Sequence, residues 1–208
     1  MATLIDICNK IPPYGLIYDW LGMEAVEGLL RFAQSNEHRF EDTTVALKEG
    51  QGVNRKRRVS KRLQSLGGLE SELRSKLEGV LPAMFNRLGN KPFIPSNIEV
   101  EFVVHGDGAF FARHVDTIAH NSFHGGHRRI FSAVYYFNAL PKAFSGGAFR
   151  LYSLAASGQQ GTFVDIAPNR DMLLFFPSFF PHEVLPVKCP SRQFIDSRFA
   201  INFWVHQK

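Results

Sequence analysis

The chain has 208 residues, of which 45% are apolar and 21% charged, with a formal net charge of +5. This is long enough for one domain with a sizeable core, and the balance is that of a globular protein rather than a disordered or fibrous one. Only Cys8 and Cys189 are available for pairing and no stretch approaches a membrane span, so disulfide scaffolds and membrane-spanning helical proteins are excluded.

The first residues, MATLIDICNKIPPYG, contain Asp6 early and lack a basic segment followed by an apolar run, which leads to the expectation of a cytoplasmic protein. Val26, Leu29, Leu30 and Ala33 recur at helical spacing behind Glu24 and Glu27, and predict a first helix. From about Glu41 to Lys61 the chain is polar and contains NRKRRVSKR (54–62); this reads as a loop or a frayed helix start. A second helical pattern runs through Leu69, Leu73, Leu77, Leu81, Met84 and Leu88, with Pro82 expected to kink it or to start a new helix. Residues 1–95 are thus expected to form a helical support region.

The texture then changes. Short strand-like runs follow one another: IEVEFVVH (98–105), AFFARHV (109–115), RIFSAVYYF (129–137), AFRLY (148–152), GTFVDI (161–166), MLLFF (172–176), HEVLPV (182–187) and RFAINFWV (198–205). Glycine- and proline-rich breaks separate them. Such a series predicts two packed sheets or a closed barrel of the jelly-roll kind over residues 96–208. No repeat or linker divides the chain, so a single domain over 1–208 is expected.

One triplet has metal-site spacing. Two imidazoles and one carboxylate on one face of a metal leave the other face open, which is the donor set of non-haem Fe(II) oxygenases. Side chains at i and i+2 of a strand point the same way, so His114 and Asp116 can face one ion. Alone the triplet is weak, because a surface His-Asp pair looks the same. His182, which opens a later strand, supplies a second imidazole. Arg198 opens the apolar run RFAINFWV. A guanidinium there is costly to bury without a partner. Either an ion pair with Asp196 or a bidentate carboxylate ligand would resolve that cost.

These pieces, namely GDGAFFARHVDT (106–117), SAVYYFN (132–138), FSGGAFRLY (144–152), MLLFFPS (172–178), HEVLPV and RFAINFW, resemble the prolyl 4-hydroxylase-like branch of the Fe(II)/2-oxoglutarate dioxygenases, and hypoxia-type prolyl hydroxylases and their bacterial relatives most of all. The resemblance covers residues 98–206. It implies a mostly β fold, a double-stranded β-helix (jelly-roll or cupin-like) with the N-terminal helices packed on the major sheet. It implies Fe(II) held by His114, Asp116 and His182, with 2-oxoglutarate and O2 as co-substrates and ascorbate as a candidate reductant. Arg198 matches the residue that pairs with the distal carboxylate of 2-oxoglutarate, and Tyr136 a tyrosine that hydrogen-bonds it; read from the residues alone, Tyr136 is equally a core aromatic. Oxidative decarboxylation to succinate and CO2 with hydroxylation of an unactivated C–H bond is the implied reaction. Asp116 argues against the halogenase variant, which lacks the carboxylate.

There are two departures. The family carries a tyrosine near the position of His105, which is either a substitute or a satisfied strand-end histidine. The stretch KCPSRQFIDS (188–197) is longer than usual and leaves Arg192 as a rival for Arg198. His120, His124 and His127, in the loop after Asp116, invite a second-metal reading; a loop beside the site that contacts substrate is the better account. The basic run Arg55–Arg62 reads as a solvated face, as do Arg128 and Arg129, and Gly146 and Gly147 as turn punctuation. The last strand lacks the second arginine of nucleic-acid demethylases, so nucleic acid is disfavoured as a partner. The expected substrate is a peptide or protein residue, proline first; a free amino acid or natural-product precursor is the close variant, and a redox-silent cupin-like metal barrel the rival class.

Overall fold

The computed structural model describes residues 10–47, 50–117, 128–155 and 161–208. Strand β1 (Gly15–Tyr18) leads into helix α1 (Met23–Ser35). Strands β2 (Phe40–Asp42), β3 (Val45–Leu47), β4 (Gly50–Gly52), β5 (Arg58–Val59) and β6 (Lys61–Leu63) precede helix α2 (Gly68–Leu88). The rest is β7 (Asn97–His105), β8 (Phe110–His114), β9 (Arg128–Phe137), β10 (Ser145–Gly146), β11 (Phe149–Tyr152), β12 (Phe163–Ile166), β13 (Met172–Pro177), β14 (His182–Val184), β15 (Val187–Lys188) and β16 (Arg198–Gln207).

Two antiparallel sheets carry the fold. The larger has the order β1-β13-β9-β16-β7-β6-β2, the smaller β12-β11-β14-β8-β5. The period-two alternation of the strands decides which face goes where. On β16, Phe199, Ile201, Phe203 and Val205 join the core beneath the helices, whereas Arg198, Ala200, Asn202 and Trp204 turn toward the smaller sheet. On β9, Phe131, Ala133, Tyr135 and Phe137 face the helices, and Val134 and Tyr136 face inward. The abundant phenylalanines fill the helix-side layer, where Phe102 touches Phe40, Phe137 and Phe199 edge to face. Each such fully buried ring contributes about 2 kcal/mol.

The expected mostly β architecture with supporting helices is present, but the first third is not a purely helical region. Strands β1, β2 and β6 come from it and form both edges of the larger sheet. Segments of three or four residues are too short to show alternation, so pairing with β13 and β7 decides their state. The basic run 54–62, expected as a loop or a frayed helix start, is a turn followed by the short strands β5 and β6. Helix α2 runs from Gly68 to Leu88 across Pro82. The missing N–H removes one helical bond, while Leu77 and Leu81 before it and Met84, Phe85 and Leu88 after it are all buried. None of the described helices is long and apolar enough to cross a membrane.

Asp171 clasps the N-terminal helix to the larger sheet. Its carboxylate accepts the backbone N–H groups of Leu21 and Gly22 and the hydroxyl of Tyr135, each within 2.9 Å. It does so from a left-handed backbone conformation, φ 56°, at 2% exposure. Removing it leaves buried donors unpaired. Asp171→Ala is expected to destabilise the fold by about 3 kcal/mol and lower the melting temperature by about 10 °C, with Asp171→Asn losing less. An unchanged melting point in Asp171→Ala would show that the clasp contributes nothing.

Candidate active site

Among the described residues one group of three possible metal ligands stands together: His114, Asp116 and His182, whose ligand atoms all lie within 4.8 Å of one another. All three come from the smaller sheet or its end. His114 closes β8, Asp116 follows it, and His182 opens β14 directly opposite His114 in the ladder. The i, i+2 spacing puts His114 and Asp116 on one side, and the strand pairing adds the third donor. His114 Nε2 is 3.6 Å from one carboxylate oxygen of Asp116, and His182 Nε2 is 3.5 Å from the other.

The surroundings aim these atoms. His114 Nδ1 is 2.9 Å from the Ala112 carbonyl and His182 Nδ1 3.0 Å from that of Phe180. A carbonyl only accepts, so each Nδ1 carries a hydrogen and each Nε2 is left facing the cluster. The Ser132 hydroxyl, from β9 on the facing sheet, donates to Asp116 at 2.6 Å and lies 2.9 Å from the Ser178 hydroxyl. Burial opposes ionisation of Asp116, but the imidazoles of His182 and His114 and the Ser132 hydroxyl outweigh it and hold the carboxyl well below its ordinary range. Burial pushes His182 down to about 4 against the opposing pull of Asp116. At neutral pH the cluster is therefore a carboxylate with a neutral, metal-competent His182 beside it.

Arg198 lies across the same cavity, on β16, at 1% exposure. Its Nε donates to the Gly147 carbonyl at 2.9 Å, and its Nη1 lies 3.3 Å from His105 Nδ1. Its guanidinium carbon is 4.9 Å from the centre of the Tyr136 ring. Among the described residues no carboxylate pairs with it, and Arg198 Nη2, Tyr136 Oη and His105 Nε2 are buried without a hydrogen-bond partner. Burial raises the Tyr136 pKa despite the nearby Arg198 charge, so the phenol stays protonated and able to donate. Gly147 is more than turn punctuation: it sits at φ 64°, and a Cβ there would come within 2.7 Å of Arg198 Cδ. The close approach of the side chain to that backbone requires glycine.

Arg58, Phe111, Asn202 and Trp204 also line the cavity and are held by charge and ring contacts. Phe111 stacks on the His114 ring at 3.6 Å, and the Arg58 guanidinium lies 4.6 Å over Phe111. Arg58 pairs with Glu101 at 3.2 Å and donates to Ser60, and Asn202 also reaches Glu101. Arg129 stacks over Trp204 at 4.1 Å and pairs with Glu99.

Several sequence readings change here. The alternatives to a ligand-binding Arg198 fall away: Asp196, the candidate ion-pair partner, accepts from Ser191 instead, and Arg192, the rival guanidinium, is an exposed partner of Asp107. Arg58 and Arg129 are buried or partly buried ion pairs rather than solvated charges. His105 is not a fully satisfied strand-end histidine, since its Nε2 has no partner among the described residues. Nothing local in the sequence marks Ser132 as a partner of Asp116; its inward direction is set by the same alternation that turns Tyr136 toward the cavity side. His120, His124 and His127 lie outside the described residues.

The model of the 2OG-Fe(II) oxygenase superfamily matches residues 100–206. An uncharacterized PKHD-type hydroxylase of Synechocystis sp. is 31% identical over 199 residues, covering 94% of this chain and 63% of that protein; the chain thus spans less than two thirds of that relative's length. Among solved structures, a prolyl-4-hydroxylase of Pseudomonas putida superposes with a TM-score of 0.67 at 20% identity, covering 95% of this chain and 94% of the other. A Trichoplax adhaerens prolyl hydroxylase in complex with a peptide fragment of the hypoxia inducible factor oxygen degradation domain gives 0.66 at 24% identity, covering 93% and 83%. At these identities the two structural likenesses show the fold alone.

Proposed function

The chain belongs to the 2OG-Fe(II) oxygenase superfamily, and on that footing we propose that it is an Fe(II)- and 2-oxoglutarate-dependent dioxygenase that hydroxylates an unactivated C–H bond on a peptide or protein residue, proline being the first candidate. In this reading His114, Asp116 and His182 hold the iron, and Arg198 with Tyr136 takes the distal carboxylate of 2-oxoglutarate. The residues fit both groups. Two imidazoles and one carboxylate suit Fe(II) and leave positions open. Arg198, Tyr136 and His105 together offer three buried donor positions without partners among the described residues, which a carboxylate or keto oxygen would satisfy. When bound, iron and 2-oxoglutarate supply the oxidation, in which O2 delivers one oxygen atom to the substrate carbon and one to succinate as CO2 leaves.

The protein's own contribution is placement. The Ala112 and Phe180 carbonyls fix the two imidazoles, and Ser132 fixes the carboxylate. Apolar side chains of Val134, Phe149 and Val184 line the cavity between the sheets. The single observation that carries the reading is Arg198, a guanidinium buried at 1% exposure without a carboxylate partner among the described residues, in the cavity that holds the metal cluster. A redox-silent metal barrel has no use for it. A peptide substrate is supported by the peptide complex of the similar Trichoplax hydroxylase.

Anaerobic addition of 2-oxoglutarate to the Fe(II)-loaded protein tests the proposal. A weak metal-to-ligand charge-transfer band in the visible is expected, followed on admission of O2 and a proline-containing peptide by succinate release matched to peptide hydroxylation. Succinate release stimulated by free amino acids but not by peptides would move the substrate to the small-molecule class. Absence of the band with iron demonstrably bound would overturn the oxygenase reading.

A further inference from the structure

His105 stands at the end of β7, opposite Arg198 in the β7–β16 ladder. It is 3% exposed and lines the cavity of the metal cluster. Arginine can only donate, so in the 3.3 Å contact between Arg198 Nη1 and His105 Nδ1 the imidazole must accept. A neutral imidazole that accepts at Nδ1 carries its hydrogen at Nε2. The tautomer is therefore set by the same arginine that faces the cavity, and Nε2–H is a buried donor with no partner among the described residues. Such a group costs free energy in the unliganded fold and is unusual enough to need a reason.

Resting on the oxygenase reading above, we propose that His105 is a co-substrate-binding residue, donating a hydrogen bond from Nε2 to an oxygen of the 2-oxoglutarate that Arg198 anchors. The imidazole remains uncharged in this role. Burial first, then the charges of Arg198 and Arg58, hold its pKa well below the ordinary value, so it donates through a fixed neutral tautomer. The arrangement couples the two residues. Arg198 orients the imidazole through Nδ1, and the imidazole completes the donor set around the ligand. Binding of 2-oxoglutarate relieves both an uncompensated buried cation and an orphaned N–H.

The test is titration calorimetry of 2-oxoglutarate into the Mn(II)-loaded protein, with His105→Phe, His105→Gln and Arg198→Ala alongside and the melting temperature of each recorded. Phenylalanine keeps the ring and removes both nitrogens. Glutamine offers a carbonyl to Arg198 and an amide N–H in place of Nε2. The expected result is a Kd raised about tenfold or more in His105→Phe, rescue to within about threefold of wild type in His105→Gln, and melting temperatures too similar to explain the difference. Wild-type affinity in His105→Phe, with binding lost in Arg198→Ala, overturns the proposal and leaves the oxygenase reading standing. A weakened His105→Phe that glutamine does not rescue assigns His105 a packing role and also overturns it. Failure of the wild type itself to bind 2-oxoglutarate overturns both.

Discussion

Asp116→Ala is expected to reduce turnover by about a thousandfold or more and to strip iron from the protein during dialysis against a mild chelator. Asp116 is the only anion in the three-residue donor set, and it is held ionised by its neighbours. Its loss removes the charge that balances the cation and leaves two imidazoles that also bind softer divalent metals. A deficit of about 4 kcal/mol in either metal affinity or barrier gives a thousandfold effect. Ser132→Ala grades the argument. That variant keeps the ligand and removes only the 2.6 Å bond that orients it, so metal affinity should fall by about ten- to a hundredfold. Iron content by metal analysis and succinate release measure the two. Retention of stoichiometric iron and activity in Asp116→Ala would remove Asp116 from the ligand set.

The second large effect concerns Arg198, and it has opposite signs in function and stability. If Arg198 anchors 2-oxoglutarate as proposed, Arg198→Ala raises the Kd for 2-oxoglutarate about a hundredfold or more, through loss of a charge-assisted contact to a buried guanidinium. Arg198→Lys should recover only part of this. An ammonium supplies the charge but not the fork that also reaches the Gly147 carbonyl and His105. In the unliganded protein the same guanidinium is a buried charge with no carboxylate partner among the described residues. Replacing it by an apolar side chain of similar volume removes a desolvation cost. Arg198→Met is therefore expected to leave the ligand-free protein as stable as wild type or more so, while wild type alone gains stability on adding 2-oxoglutarate. Thermal melts with and without 2-oxoglutarate read both arms. A large loss of ligand-free stability in Arg198→Met would mean that the residue serves the fold rather than the ligand.

Much of the molecule was legible in the sequence, for reasons that are local. Alternation in RIFSAVYYF and RFAINFWV sets which side chains face the helices and which face the cavity, and apolar runs bounded by glycine and proline breaks mark the other core strands. The i, i+2 spacing of His114 and Asp116 makes a two-donor edge without reference to anything distant. The apolar company of Arg198 marks it as a charge in need of a partner. Three- and four-residue strands such as Gly15–Tyr18 carry no such period, so the edges of the larger sheet were not legible.

What the sequence by itself determined is therefore the periodic part: two helices, a run of strands, and the residue types able to hold a metal and a carboxylate. Only the tertiary structure decided the partners. It placed Ser132 on Asp116 across 16 residues, Gly147 and His105 on Arg198 across 51 and 93, and Arg58 over the Phe111 ring that stacks on His114. The physical reason is range. A strand's alternation is written by steric rules acting over two residues, whereas a buried polar atom takes whichever partner sheet packing brings within about 3 Å.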